Sequence, residues 1–288
     1  MTPVSGTLSI VATPIGNLED ITQRALRVLR EADLIACEDT RHTRKLLNHF
    51  AITTATISYH EHNEKERAEE LCEALESGKN IALVSDAGTP LISDPGFRIV
   101  QAAVDRGISV VPIPGASAVI TALSASGLPT DQFLFAGFLP ARTGARRAKL
   151  NELRTVAGTL VFYEAPHRIK ATLQEALEVL GNREAVIARE VTKLHEEFAR
   201  GSLSQLIERL SSSEAPRGEM VLIISGQAAE LPSPSTTDAN VRLVERIEQL
   251  EGEGMDQKSA LKQAAKELGM KRADAYRMMV NQKNRRSK

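Results

Sequence analysis

Short apolar segments alternate with amphipathic segments from residue 7 to about residue 115. The apolar segments predict five buried strands, at residues 7–12, 34–37, 54–58, 81–84 and 108–111. Between them, apolar residues recur at helical spacing, which predicts helices near residues 20–30, 41–49, 64–77 and 95–106. Parallel strands need crossover helices, so this alternation predicts a parallel α/β sheet.

A different order of elements follows residues 123–132, where Gly127 and Pro129 predict a hinge between domains. Strands are predicted at residues 133–139, 159–163, 184–190, 196–200 and 219–225, and helices at residues 166–180 and 202–211. The strands at 184–190 and 196–200 are close enough along the chain to pair with each other. The pattern therefore predicts an α+β module with antiparallel character.

The C-terminal part of the chain has a third pattern. Residues 226–237 are rich in Ala, Pro, Ser and Thr and predict a linker. Three short helices are predicted beyond it, at residues 241–250, 256–268 and 271–281. The last two resemble a helix-turn-helix, although a small dimerisation or packing appendage fits equally well. The predicted domains are residues 1–122, 130–226 and 238–288.

Charge is distributed unevenly along this chain of 288 residues. The formal net charge is only −1, but residues 258–288 contain ten Lys and Arg against two acidic residues. This segment is therefore a candidate contact for a polyanion. A second basic stretch, residues 140–149, contains Arg142, Arg146, Arg147 and Lys149. Its composition predicts a flexible loop, either merely solvated or serving as a phosphate-binding lid.

Several classes of protein are not favoured by the sequence. Cys37 and Cys72 lie far apart in apolar surroundings, which indicates reduced thiols and a cytoplasmic protein. No apolar run reaches the length of a membrane span, and the first residues lack a signal peptide's charged and apolar regions. His60, Glu61 and His62 have no spaced set of partner ligands, so we expect no metal.

Small and polar residues follow four of the five strands in the first domain. Residues 84–96 contain two Gly, two Pro and two Asp, and similar loops follow the first and fifth strands. One such loop is compatible with an ordinary connection, but several at the carboxyl ends of parallel strands predict a ligand cleft. Its small side chains suit a nucleoside-type cofactor. The sequence lacks both the Gly-x-x-x-x-Gly-Lys-Ser/Thr motif and a Gly-x-Gly-x-x-Gly motif after the first strand.

Five blocks carry a resemblance to the tetrapyrrole methylase family: residues 11–22, 84–96, 114–118, 162–168 and 188–197. The resemblance covers residues 6–226. It implies two α/β domains with S-adenosylmethionine in the cleft between them, and usually a homodimer. Within the family, the chain is most similar to members that methylate the ribose 2′-hydroxyl of a cytidine in 16S ribosomal RNA. Ala12, Pro14 and Asn17 depart from the glycine-richer loop of members acting on tetrapyrroles, which argues against such a substrate.

The resemblance also implies roles for individual residues. Contacts with the cofactor are expected from Pro14, Gly16, Asp86, Ala87, Gly88, Thr89, Ser117, Ala118, Tyr163 and Ala188. We hypothesise that Lys193, Glu164 or His195 assists removal of the hydroxyl proton, with Arg189 orienting a phosphate or carboxylate. Alternatively, the charged residues at these strand ends merely pair with one another.

The basic segments match an RNA substrate better than a small tetrapyrrole. Contacts with 16S ribosomal RNA or the small ribosomal subunit are expected from Arg142, Arg146, Arg147, Lys149, Lys271, Arg272 and Arg277. Two other functions remain open. One is methylation of a small molecule such as a corrin precursor, and the other is non-catalytic nucleic-acid binding by a protein that senses the cofactor.

Overall fold

A computed structural model describes residues 5–211, 218–227, 236–268 and 275 of the chain. Its contacts divide the chain into a compact unit that ends at Gln227 and a second unit that begins at Ala228. The first unit contains two five-stranded sheets, and the second contains helices.

The first sheet is entirely parallel, with the strand order β3-β2-β4-β1-β5. Its strands are β1 (Thr7–Val11), β2 (Leu34–Cys37), β3 (Thr56–Ser58), β4 (Ile81–Val84) and β5 (Ser109–Ile113). The helices that follow them are α1 (Gln23–Glu31), α2 (Thr40–His49), α3 (Glu64–Glu76), α4 (Phe97–Asp105) and α5 (Ala118–Ser126). The predicted parallel α/β sheet is confirmed. Helices cover both faces, so the central strand β4 is buried along its whole length.

The second sheet is mixed, with the order β6-β7-β10-β8-β9. Its strands are β6 (Phe133–Phe138), β7 (Thr159–Glu164), β8 (Glu184–Arg189), β9 (Glu197–Ser202) and β10 (Met220–Ile224). Only β6 and β7 are parallel; the other neighbours are antiparallel. The α+β character and the β8–β9 pairing are confirmed. Helices α6 (Thr143–Leu153), α7 (Ile169–Leu180) and α8 (Leu203–Ser211) accompany this sheet.

Helix α5 corrects the predicted start of the hinge. The hinge was expected from residue 123, but the helix continues to Ser126 and ends at Gly127, which adopts a left-handed conformation with φ of 82°. Val119 and Leu123 of this helix pack against Val161 and Val186 of the second sheet. The last helix of the first domain therefore contributes to the apolar core of the next one.

The basic stretch at residues 140–149 is not the predicted flexible loop. Helix α6 begins at Thr143 and buries Arg146, Leu150 and Leu153 on one face. The prediction was wrong because it gave weight to the charge of the segment and overlooked the apolar positions with helical spacing that follow.

The second unit contains α9 (Thr236–Gly252) and α10 (Gln257–Glu267). Leu243 and Ile247 of α9 pack with Ala260 and Leu261 of α10. The predicted linker lies mostly in residues 228–235, outside the described residues, and α9 already begins at its last positions. The predicted third helix also lies outside them, except for Ala275, so the helix-turn-helix stays a prediction. No helix within the described ranges is long and apolar enough to cross a membrane.

Candidate functional site

A cavity of about 350 Å³ lies where loops of the first sheet meet strand ends of the second. Its volume is within the range of small-molecule sites. Eight residues singled out from the sequence line it: Ala87, Gly88, Thr89, Ser117, Ala118, Tyr163, Glu164 and Ala188. The structure therefore brings together segments that lie up to about a hundred residues apart in the sequence.

Hydrogen bonds hold three loops of the first domain together at this cavity. Thr13 and Gly88 form an antiparallel bridge, with N–H to O=C distances of 2.9 and 3.0 Å. The hydroxyl of Thr89 donates to the carbonyl oxygen of Ala116 at 3.2 Å. Gly88 has φ of +81°, which L-residues with side chains rarely adopt. The loops after β1, β4 and β5 thus form one wall whose small side chains leave room for a ligand.

The loop after β4 has an unusual backbone beyond Gly88. Leu91 and Ser93 have φ of 72° and 70°, and such conformations persist only where the surroundings enforce them. A carboxylate oxygen of Glu64 in α3 fixes the end of this loop, because it accepts hydrogen bonds from the backbone N–H of Gly96 and of Arg98, both at 3.3 Å. The loop is held in place at both ends.

Three of the residues expected at the cofactor do not line the cavity. Pro14 and Gly16 flank Ile15, which does line it. A Cβ on Gly16 would lie 2.4 Å from Cγ of Lys193, so this glycine permits close contact between the two domains. The carboxylate of Asp86 accepts a hydrogen bond from the backbone N–H of Asp39 at 3.1 Å. Asp86 therefore joins the loops that follow β4 and β2.

Lys193 lies between two carboxylates. Its Nζ is 2.9 Å from Oε1 of Glu190 and 3.0 Å from Oε2 of Glu219. Burial acts to lower the pKa of Lys193, but the hydrogen bonds to Glu190 and Glu219 outweigh it and leave that pKa raised. A protonated amine cannot accept a proton, so the geometry argues against Lys193 as the base.

Glu164 lines the cavity, but its carboxylate is fully engaged. Its side chain is 0% exposed and accepts hydrogen bonds from the Thr172 hydroxyl at 2.6 Å and the Ala165 N–H at 2.8 Å. The Nε of Arg168 is 3.2 Å away. These partners direct the carboxylate into the second domain.

The two other residues expected to be catalytic lie away from the cavity lining. Arg189 forms hydrogen bonds with Glu197, at 2.8 Å from Nη2 and 3.2 Å from Nε. His195 is exposed. The alternative that charged strand-end residues pair with one another describes Arg189 and Lys193 well.

The basic residues at positions 142–149 differ in their surroundings. Arg142 is exposed, Arg147 pairs with Glu178 at 2.5 Å, and Lys149 pairs with Glu152 at 2.9 Å. Arg146 is only 3% exposed, and its guanidinium forms a two-pronged pair with Glu175 at 2.8 and 2.5 Å. The expectation of Arg146 as a surface contact is therefore corrected. Lys271, Arg272 and Arg277 lie outside the described residues.

Sequence reasoning missed several residues that line the cavity: Ile92, Ser93, Asp94, Phe138, Val191, Gly218, Glu219, Met220 and Val221. The first three lie in the stretch at 84–96, whose composition predicts a ligand loop. Gly218 and Glu219 immediately precede β10, and Met220 and Val221 begin it; this strand is antiparallel to β7 and β8. The start of β10 therefore lies beside the ends of its neighbours, and a search of strand ends alone does not find it.

The cavity combines largely apolar walls with Asp94, Glu164 and Glu219. A nucleoside-type ligand fits this arrangement, since the apolar walls accept the base. Two α/β domains around one such cavity indicate a class of enzymes that bind a nucleoside-type cofactor.

Residues 7–207 match the family described as tetrapyrrole (corrin/porphyrin) methylases. The chain belongs to this family, whose methyl donor is S-adenosylmethionine.

Two relatives with similar sequences share one name. A protein from Halalkalibacterium halodurans named ribosomal RNA small subunit methyltransferase I is 49% identical over 94% of this chain and 93% of its own length. A protein of the same name from Vibrio cholerae is 57% identical over 76% of this chain and 77% of its own length.

Solved structures show the same fold. A diphthine synthase matches 76% of this chain and 90% of its own at a TM-score of 0.60 and 16% identity. A uroporphyrin-III C-methyltransferase from Thermus thermophilus, complexed with S-adenyl homocysteine, matches 78% of this chain and 100% of its own. The TM-score of this match is 0.53 and the sequence identity is 20%. The predicted fold class, two α/β domains of this family with helices beyond them, is confirmed.

Proposed function

We propose that this chain transfers the methyl group of S-adenosylmethionine to the ribose 2′-hydroxyl of a cytidine in 16S ribosomal RNA. One observation carries the proposal: this chain is about half identical, over most of its length, to proteins named for methylation of small-subunit ribosomal RNA. When bound, S-adenosylmethionine supplies a methyl group on a positively charged sulfur.

The lining suggests how the chain would hold its ligands. Gly88, Ser117, Ala118 and Ala188 provide small surfaces for the donor, and Tyr163 contributes an aromatic ring in edge contact with Phe135, with ring centroids 4.9 Å apart. Rigid walls of this kind accelerate methyl transfer by holding the hydroxyl and the methyl group at a near-attack distance. Pro14, Gly16 and Asp86 would act indirectly, because they position the loops that line the cavity.

The proposal extends to partners and location. Arg142 just before α6 and Arg147 and Lys149 on it, together with the basic residues beyond 258, would contact phosphates of the small ribosomal subunit or its RNA. A ribosomal RNA substrate implies a cytoplasmic enzyme, and the homodimer implied by the family resemblance remains part of the proposal.

Labelled S-adenosylmethionine tests the reaction directly. The protein is incubated with small ribosomal subunits, with free 16S ribosomal RNA, or with a tetrapyrrole such as uroporphyrinogen, and the label is followed. We expect label in RNA, at a single cytidine that becomes resistant to alkaline cleavage on its 3′ side, because a methylated 2′-oxygen cannot attack the neighbouring phosphate.

Other outcomes would contradict the proposal. Label in the tetrapyrrole would favour the small-molecule methyltransferase, and label on a base would exclude ribose methylation. Binding of the donor without turnover on any of these substrates would favour the non-catalytic sensor.

The basic tail provides a separate prediction about RNA binding. Replacing Lys271, Arg272 and Arg277 with Gln should make the slope of log K against log salt concentration less steep by about 2–3, since each phosphate contact contributes about 0.7–0.9. Binding to 16S ribosomal RNA is measured by filter retention at several salt concentrations. A control with the same change in charge replaces the exposed Lys45, Lys65 and Lys79 and should keep the original slope. Equal slopes for both variants would argue against the tail as an RNA contact.

A further inference from the structure

We infer that Asp94 is the catalytic residue that accepts the proton of the attacking hydroxyl. The inference rests on the proposed methyl transfer and assigns a role that the sequence had given to Lys193, Glu164 or His195. It follows from the placement of Asp94 in the cavity and from the contacts of the other carboxylates there.

Three carboxylates line the described part of the cavity: Asp94, Glu164 and Glu219. Glu164 is enclosed by its hydrogen bonds to Thr172 and Ala165, as described above. Glu219 is 79% exposed and pairs with Lys193. Asp94 differs from both, because no Lys or Arg in the described ranges forms an ion pair with it. It is half-buried and therefore able to face a substrate.

The backbone holds Asp94 firmly in this position. It follows Ser93, whose φ is 70°, and precedes Pro95, whose ring fixes its own φ angle. Gly96, two residues further, is fixed by Glu64. On the other side, a Cβ on Gly137 of β6 would lie 3.6 Å from Oγ of Ser93, so the loop directly abuts the second domain. A strained turn that places in a cavity a carboxylate without a cationic partner is typical of a functional site.

The groups around Asp94 make it a suitable base. Burial, together with the charges of Glu38 and Asp86, raises the pKa of Asp94 to about 6, against the opposing effect of a hydrogen bond with Ser85. From the second domain, Tyr163 faces the same space. Burial, Asp94 and Glu219 raise the pKa of Tyr163 to about 12, so this phenol stays neutral. A base with a pKa near the working pH combines ionisation with proton affinity.

The step balances with no additional reactant. A lone pair of the ribose 2′-oxygen forms a bond to the methyl carbon, and the carbon–sulfur bond breaks with its electron pair remaining on sulfur. The hydroxyl proton passes to a carboxylate oxygen of Asp94, which releases it to solvent after the product leaves. The positive charge of the sulfonium and the negative charge of the carboxylate are both neutralised.

Single-turnover methyl transfer with Asp94→Asn tests the role at saturating S-adenosylmethionine. We expect the rate to fall by about 10²–10⁴-fold, the usual contribution of a general base. The dissociation constant of S-adenosylmethionine, measured by calorimetry, should stay within about threefold of the wild-type value, because less than 0.7 kcal/mol would be lost. The control Asp105→Asn changes an exposed carboxylate at the end of α4 and should keep the wild-type rate.

The pH profile separates proton transfer from a structural role. Ionised Asp94 is the active form, so the wild-type rate should rise with pH through a midpoint near 6. This rising part of the profile should disappear in Asp94→Asn and persist, with a shifted midpoint, in Asp94→Glu, which keeps a carboxylate.

A wild-type rate and profile in Asp94→Asn would overturn the inference. So would a variant that loses donor affinity but transfers methyl at the normal rate. Wild-type protein that never methylates 16S ribosomal RNA would instead refute the proposed function itself.

Discussion

Replacing Arg146 with Met is expected to lower the free energy of unfolding by about 3–5 kcal/mol, because Glu175 would keep a buried charge without its partner. The side chains of Arg146 and Glu175 are 4% and 10% exposed, and two hydrogen bonds join them. The guanidinium also donates to the carbonyl oxygen of Ala141 at 3.2 Å. Urea denaturation followed by circular dichroism measures the loss, since the chain contains no Trp.

Two further variants isolate the cause. Arg147→Met removes the neighbouring cation, whose pair with Glu178 is 44% and 57% exposed, and should cost only about 0–1 kcal/mol. The double change Arg146→Met with Glu175→Leu should recover most of the stability, because neither charge is then left buried. If Arg146→Met folded as stably as the wild type and only weakened RNA binding, Arg146 would be a surface contact after all.

Replacing Gly88 with Val is expected to weaken binding of S-adenosylmethionine by about 100-fold, which corresponds to about 2.7 kcal/mol. A Cβ at this position would lie 3.2 Å from Cγ2 of Ile15, on a backbone with φ of +81°. Crowding and backbone strain each cost about 1–3 kcal/mol. If the backbone shifted to relieve the crowding or the strain, the bridge between Thr13 and Gly88 would open and the loops at the cavity would separate. Calorimetric titration with the donor measures the effect.

Gly127 offers a control with almost the same backbone. Its φ is +82°, but a Cβ there would meet nothing within 4 Å. Gly127→Val should therefore lose a comparable amount of stability through backbone strain while keeping the wild-type affinity for the donor. Equal loss of affinity in both variants would show that destabilisation, and not the shape of the cavity, is responsible.

Much of the architecture could be predicted from local patterns. The strands at 34–37 and 81–84 have the predicted bounds, because each is a short apolar run between polar turns. Helix α6 could not be identified as easily, since its charged residues obscured the buried positions of Arg146 and Leu150. The same charge pattern describes an exposed arginine such as Arg147 and a buried one such as Arg146. Only the position of Glu175 on α7 distinguishes them.

The sequence by itself determined that the loops after β1, β4 and β5 lie at one edge of the sheet, because parallel strands bring their carboxyl ends there, and the small residues of these loops predict a ligand site. It also determined the family, because the five blocks that resemble the tetrapyrrole methylases occur in the same order along the chain. Only the tertiary structure decided which charged residues near the cavity are engaged by partners. Lys193 and Glu164 are engaged by partners at distances that no sequence spacing reveals, while Asp94 stays free of a cation within the described residues. The physical reason is that the reactivity of a charged group depends on its neighbours in space, and these are brought from both domains by folding.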